Sequence, residues 1–105
     1  MTKNEIKTAI KGYVAKGLYY PIENGEYVGG CYVDRAIDEN GVNVALAAII
    51  GIDEAEAVEL IEDGSEPIAI SANKAGDEES IEVSVDYDER SGYYSLDEFA
   101  EKFGE

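Results

Sequence analysis

The carboxylates between Asp53 and Gly64 are the side chains whose type and spacing most strongly suggest a function. Asp53 is a typical helix N-cap and Gly64 a typical residue after a helix end, so the sequence predicts a helix over residues 53–63. With ~3.6 residues per turn, its apolar residues share one side, and the other side carries Glu56, Glu59, Glu62 and Asp63. This gives one charge every ~3.5 Å of helix axis, close to the ~3.4 Å that separates phosphates along a nucleic-acid strand.

A second acidic surface is predicted on a strand over residues 80–88. Apolar side chains alternate there with Glu82, Asp86 and Asp88, which would share the solvent face. Carboxylates at i and i+2 on a strand, such as Asp86 and Asp88, are ~6.7 Å apart. The preceding loop adds Asp77, Glu78 and Glu79. We predict that a partner binds the helix and strand carboxylates, namely Glu56, Glu59, Glu62, Asp63, Glu82, Asp86 and Asp88.

Enzymatic chemistry is disfavoured by the residues that are missing. The sequence has no histidine and a single cysteine, Cys31, so the usual catalytic triads and cysteine-based zinc sites are excluded. It also has no glycine loop of Walker or Rossmann spacing. We therefore expect a protein that is not an enzyme and that has no cofactor and no metal.

The segment from Asp86 to Glu98 has some features of a calcium-binding EF-hand loop. That loop needs Gly at position 6 and Glu at position 12. Counted from Asp86, Gly92 is at position 7 and Glu98 at position 13, and a predicted strand precedes the segment. We expect a strand, a turn and a capped helix here.

Residues 46–53 resemble the first helix and turn of a repressor-type helix-turn-helix, with Ala47, Gly51 and Ile52 at the characteristic positions. In such a motif the following helix reads DNA with basic and amide side chains. Here that helix carries the carboxylates described above, so we expect a plain helical hairpin hinged at Gly51.

These motifs lie in a predicted α+β fold with one domain over residues 1–105. Thr2 and Glu5 form a capping box for a helix to about Ala15, and Asn24-Gly25 is a type I′ hairpin signal. A second strand follows through Gly29-Gly30 to Val33, then a turn at 38–41, helices over 42–50 and 53–63, and a strand over 68–72. A second capping box at Ser95 and Glu98 begins the last helix. The predicted order is α-β-β-α-α-β-β-α, with helices packed on an antiparallel sheet.

Charge narrows the choice of partner. The chain has 24 acidic and 8 basic residues, a formal net charge of −16, and four of the lysines lie in residues 1–17. We place Lys7 and Lys11 at the edge of the first helix, where they can meet carboxylates. Direct binding to nucleic acid or to an anionic membrane is disfavoured, whereas a basic protein surface would attract this chain. No signal-peptide or membrane-spanning pattern is present, so we expect a cytoplasmic protein of a bacterial host cell.

In size, charge and lack of catalytic residues the chain is similar to small phage-encoded anti-CRISPR and anti-restriction proteins. This similarity implies an inhibitor that occupies the basic groove of a nucleic-acid-binding enzyme. The alternative is an interaction module that does not imitate nucleic acid, such as a phage or mobile-element accessory protein, whose acidity serves only solubility and which binds through aliphatic side chains and tyrosines. The sequence has eight tyrosines, and in each of the pairs 19–20 and 93–94 a strand would turn one ring outward. The sequence leaves the oligomeric state open.

Overall fold

A computed structural model of the chain describes residues 1–23, 26–27, 44–73 and 80–105. Four helices lie in these ranges: α1 (Lys3–Ala15), α2 (residues 44–49), α3 (Glu54–Glu62) and α4 (Leu96–Phe103). The strands are β1 (Tyr20–Glu23), β2 (Glu26–Tyr27), β3 (Ile68–Ala72), β4 (Glu82–Val85) and β5 (Gly92–Ser95), and a short 3₁₀ turn, Asp88–Arg90, joins the last two.

The five strands form one sheet in the order β2-β1-β3-β4-β5. The predicted α+β class is confirmed, but the prediction of an antiparallel sheet is wrong in one place, because β1 and β3 are parallel. The other neighbouring strands pair antiparallel. The structure also adds β5, where the sequence had suggested only a turn before the last helix. The sheet is therefore mixed.

One face of the sheet is buried beneath α1 and α4. Along β3 and β4, Ile68 pairs with Val85 and Ile70 with Val83, and all four side chains are buried. Phe99 of α4 is fully buried in the same core. Helix α1 contributes its apolar stripe to this core, namely Ile6, Ile10 and Val14.

The predicted helix ends are confirmed by their hydrogen bonds. Thr2 and Glu5 form the reciprocal capping box of α1, and Ser95 and Glu98 form that of α4. The Asp53 side chain accepts the backbone N–H of Glu56 at 2.8 Å, so it is the N-cap of α3. Each of these caps satisfies a backbone donor that the helix leaves without a partner.

Gly51 joins α2 to α3 at the predicted hinge. Its φ of 89° is in the left-handed region that glycine adopts without a steric penalty. The guanidinium of Arg90 donates a 2.9 Å hydrogen bond to the carbonyl of Ile50, and Arg90 also lies over the Tyr87 ring. Arg90 thereby ties the turn between β4 and β5 to the C-terminal end of α2.

Several sequence predictions lie outside the described residues. They are the Asn24-Gly25 turn, the strand through Gly29-Gly30 and Cys31 to Val33, the turn over 38–41, the start of the 42–50 helix and the acidic loop over 77–79.

Candidate protein-binding surface

Helix α3 presents carboxylates to solvent along most of its length. Its predicted binding residues Glu56, Glu59, Glu62 and Asp63 are all exposed, and Ala57 is its one fully buried residue. Residues 53–66 contain seven acidic residues and no lysine or arginine. The helix has no basic residue in its last turn, where a cation would interact favourably with the helix dipole. The charge of α3 is thus left uncompensated within the helix.

Glu56 connects this helix to the second acidic segment. The hydroxyl of Tyr87 donates a hydrogen bond to the Glu56 carboxylate. This hydrogen bond raises the pKa of Tyr87, with desolvation and the negative charge of Glu56 adding to the effect. The contact holds the start of α3 against Tyr87, which lies between Asp86 and Asp88 in the chain. The negative charges of Glu56 and Asp88 both act on the Tyr87 hydroxyl.

The other predicted residues are less closely grouped. Glu82 and Asp86 are both exposed, but they are separated by the length of β4, about 13 Å at ~3.3 Å per residue. The predicted strand face ends before Asp88, because the strand stops at Val85 and Asp88 begins the 3₁₀ turn with a φ of 46°. The placement of Asp88 on that strand face is therefore wrong, although its side chain remains exposed. Tyr87 thus links Glu56 to the segment that contains Asp86 and Asp88, whereas Glu82 lies at the far end of β4.

Most cations of the described residues lie elsewhere, and the exception is Arg90, whose Nε is 3.5 Å from Oδ1 of Asp88. Lys3 pairs with Glu101 at 2.9 Å and Lys7 with Asp97 at 2.7 Å, joining α1 to α4. The ammonium of Lys7, with a smaller effect of Lys11, lowers the pKa of Asp97. This confirms the prediction that Lys7 meets a carboxylate from another element.

A groove beside α3 is the feature that sequence reasoning missed. It runs between the end of α3 and the outer sheet face, with a volume of about 1110 Å³. Its floor includes Ala69 and Ser84, which pair across β3 and β4, and Tyr93, which pairs with Ser84 from β5. The small side chains at these positions and the strand alternation were visible in the sequence, but the pairing that aligns them was not.

The groove also holds carboxylate and aromatic groups. The hydroxyl of Tyr20 lies 2.8 and 2.7 Å from the two carboxylate oxygens of Glu66 at one wall, and Asp86 lines another part. Tyr93 is 80% exposed, whereas Tyr94 is half-buried and its hydroxyl donates to the carbonyl of Arg90. The prediction of one outward ring is confirmed for the pair 93–94.

Tyr19 and Tyr20 behave differently. Both rings are half-buried and pack against the core, so the expectation of one outward ring is wrong for this pair. Tyr20 lies at the start of β1, next to Ser71 of β3, where the sheet is better covered.

The described ranges contain no group of three or more acidic, histidine or cysteine side chains arranged to hold an ion. The segment from Asp86 to Glu98 is occupied by the 3₁₀ turn, β5 and the start of α4. The backbone N–H of Arg90 donates a 3.0 Å hydrogen bond to Oδ1 of Asp88. This segment has the strand, turn and capped helix that the sequence predicted, with β5 added.

No family of known proteins, no curated protein and no solved structure matches this chain. Among the helices in the described ranges, none has both the length and the apolar character needed to cross a membrane.

Proposed function

We propose that this protein is a non-enzymatic inhibitor that binds a basic protein through its acidic surface. The partner is a nucleic-acid-binding enzyme, such as a nuclease or a CRISPR or restriction effector, and the carboxylates take the place of phosphates in its groove. We call the exposed residues Glu56, Glu59, Glu62, Asp63, Asp86 and Asp88 the acidic face.

The supporting observation is the separation of charge over the described surface. Lys3 and Lys7 are paired with carboxylates of α4, whereas Glu59, Glu62 and Asp63 are exposed on a helix that has no cation of its own. A protein that needed acidity for solubility alone would gain stability by mixing charges of both signs on one helix. A continuous run of carboxylates is instead suited to a basic groove.

Charge reversal tests this proposal. Glu59→Lys combined with Glu62→Lys changes the acidic face without removing the Tyr87–Glu56 contact. The matched control is Glu82→Lys combined with Glu105→Lys, which changes the net charge equally at exposed positions outside the acidic face. The immobilised proteins are used to capture partners from a bacterial lysate, and folding is checked by circular dichroism.

We expect the wild-type and control proteins to retain a nucleic-acid-binding enzyme and the acidic-face variant to lose it. Equal retention by the folded acidic-face variant would refute the assignment of binding to α3.

A second candidate is an interaction module that does not imitate nucleic acid. It is favoured by the 80% exposure of Tyr93 beside a groove, because exposed tyrosine contributes both area and a hydroxyl to protein interfaces. A partner held in this way would stay bound at ~0.5 M salt and would ignore competing DNA, since apolar contacts are only weakly screened.

A further inference from the structure

The groove beside α3 combines a low floor, an apolar wall group and a large volume. Its floor is low, because Ala69 and Ser84 have small side chains at the centre of the sheet. Leu60 of α3 is an apolar residue of its wall. Its volume of about 1110 Å³ is larger than that of a typical drug-sized pocket, ~300–1,000 Å³, so an extended peptide segment has room to enter.

An unengaged aromatic ring stands at one side of this groove. Within the described residues, the Tyr93 side chain has no hydrogen bond, ring contact or cation–π contact, and Tyr93 is 80% exposed. The neighbouring tyrosines already contact cations: Arg90 lies 5.2 Å from the Tyr87 ring centre, and Lys102 lies 5.8 Å from that of Tyr94. Tyr93 is thus the ring in this region that is left to receive a cation from outside the chain.

The charge of the groove selects the occupant. Glu66 and Asp86 line it, and no lysine or arginine of the described residues does. A cation that enters the groove would lose contacts with water and would gain contacts with a carboxylate and with the face of an aromatic ring. An arginine side chain fits best, because its planar guanidinium stacks on rings and binds carboxylates through two N–H groups, while its aliphatic stem covers apolar walls.

We propose that the groove receives an arginine side chain from an extended basic segment of the partner, with the guanidinium against Tyr93 and paired with Asp86. The inference deepens the proposed function and rests on it in one respect, namely that the arginine belongs to a surface that normally binds nucleic acid. Such surfaces stack arginine on bases as well as pairing it with phosphates. Tyr93 would then stand in for a base, as the carboxylates stand in for phosphates.

The test uses a defined peptide and the full-length ¹⁵N-labelled protein. The probe is a capped nonapeptide of glycines with four arginines at alternate positions. Two analogues replace every arginine by lysine or by neutral citrulline. Amide shifts in nuclear magnetic resonance spectra locate the peptide, and titration gives its affinity at ~0.05 M salt.

We expect the arginine peptide to shift the amides of Ser84, Asp86 and Tyr93, and to bind more tightly than both analogues. Tyr93→Ala should weaken its binding about 2- to 5-fold, as expected for the loss of an exposed cation–π contact. Val58→Ala is the matched control, since Val58 is also an exposed apolar side chain and lies outside the groove lining. Asp86→Asn should weaken binding, whereas Glu89→Gln, which removes the same charge outside the groove lining, should not.

The inference would be overturned by any one of three results. These are amide shifts confined to α3, binding of the lysine or citrulline peptide as tight as that of the arginine peptide, or unchanged binding of the arginine peptide by Tyr93→Ala. Its failure is distinguishable from failure of the proposed function. A nucleic-acid-binding enzyme that is captured equally by wild type and Tyr93→Ala refutes the groove alone. Arginine-peptide binding in the groove without capture of such an enzyme refutes the proposed function alone.

Discussion

The charge on α3 should reduce the stability of the fold, and Glu62→Lys measures by how much. Glu62 is the last residue of the helix, is exposed, and lies one turn after Glu59. A carboxylate at this end interacts unfavourably with the helix dipole, and an ammonium there interacts favourably, each by ~0.3–1 kcal/mol. Reversing the charge of Glu62 also turns its repulsion with Glu59, at i, i+3, into an attraction. Removing the repulsion and gaining the attraction each contribute ~0.2–0.5 kcal/mol.

The sum is an increase in the free energy of unfolding of about 1–3 kcal/mol for Glu62→Lys at low salt. For a domain of this size it corresponds to an increase in Tm of roughly 4–24 °C. Thermal unfolding followed by circular dichroism at ~0.02 M and ~1 M salt provides the assay. The gain should shrink at high salt, where the Debye length is only ~3 Å.

Asp97→Lys is the matched control, because it changes the net charge by the same two units. Asp97 lies in the first turn of α4 and pairs with Lys7, so its reversal should lower Tm. If Tm rises for Glu62→Lys and falls for Asp97→Lys, stability depends on the local arrangement of charge and not on the net charge. A Glu62→Lys protein that is less stable than wild type at low salt would refute this view of α3.

Three further predictions concern the hinge before α3, the Tyr87–Glu56 contact and the Lys7–Asp97 pair. Gly51→Ala should cost about 1–2 kcal/mol of stability, because alanine is strained at a φ of 89°, and an unchanged urea midpoint would contradict this. Tyr87 has a raised pKa in the folded state, so its contribution is complete below the ordinary pKa of about 10 and is lost as the pH rises through the folded value. Tyr87→Phe should therefore flatten the fall in stability above pH ~10, and an identical alkaline profile would argue against the Glu56 contact. The pKa of Asp97 is lowered, so its contribution is present above its ordinary value of about 3.9 and is lost as the pH falls through the folded value. Asp97→Asn should lose less stability than wild type on acidification below pH ~4, and parallel acid-unfolding curves would contradict that.

Local features of the fold were predictable from the sequence because neighbouring residues determine them. Thr2 and Ser95 cap helices through side chains that contact backbone only a few residues away. The alternation around Val83 and Val85 identifies the buried face of β4 in the same way. Such signals need no knowledge of distant partners.

Pairing between distant segments was not predictable. An alternating strand pattern does not state the direction of its neighbour, so the parallel contact of Tyr20 with Ser71 could not be foreseen. The groove depends on the pairing of Ser84 with Ala69 and with Tyr93. The contact between α3 and the segment after β4 depends on the hydrogen bond from Tyr87 to Glu56. The exposed carboxylates of the candidate surface could be identified from helix periodicity, but their arrangement depends on these contacts.

Competition with DNA tests the proposed function most directly. The partner captured on immobilised wild-type protein is challenged with a duplex of ~20 base pairs at constant ionic strength, and separately with salt rising from ~0.1 to ~0.5 M. A protein that occupies a nucleic-acid groove through carboxylates should release its partner under both challenges, because DNA competes for the same groove and salt screens the contact. A partner that remains bound through ~0.5 M salt and is not displaced by saturating DNA would contradict the proposal.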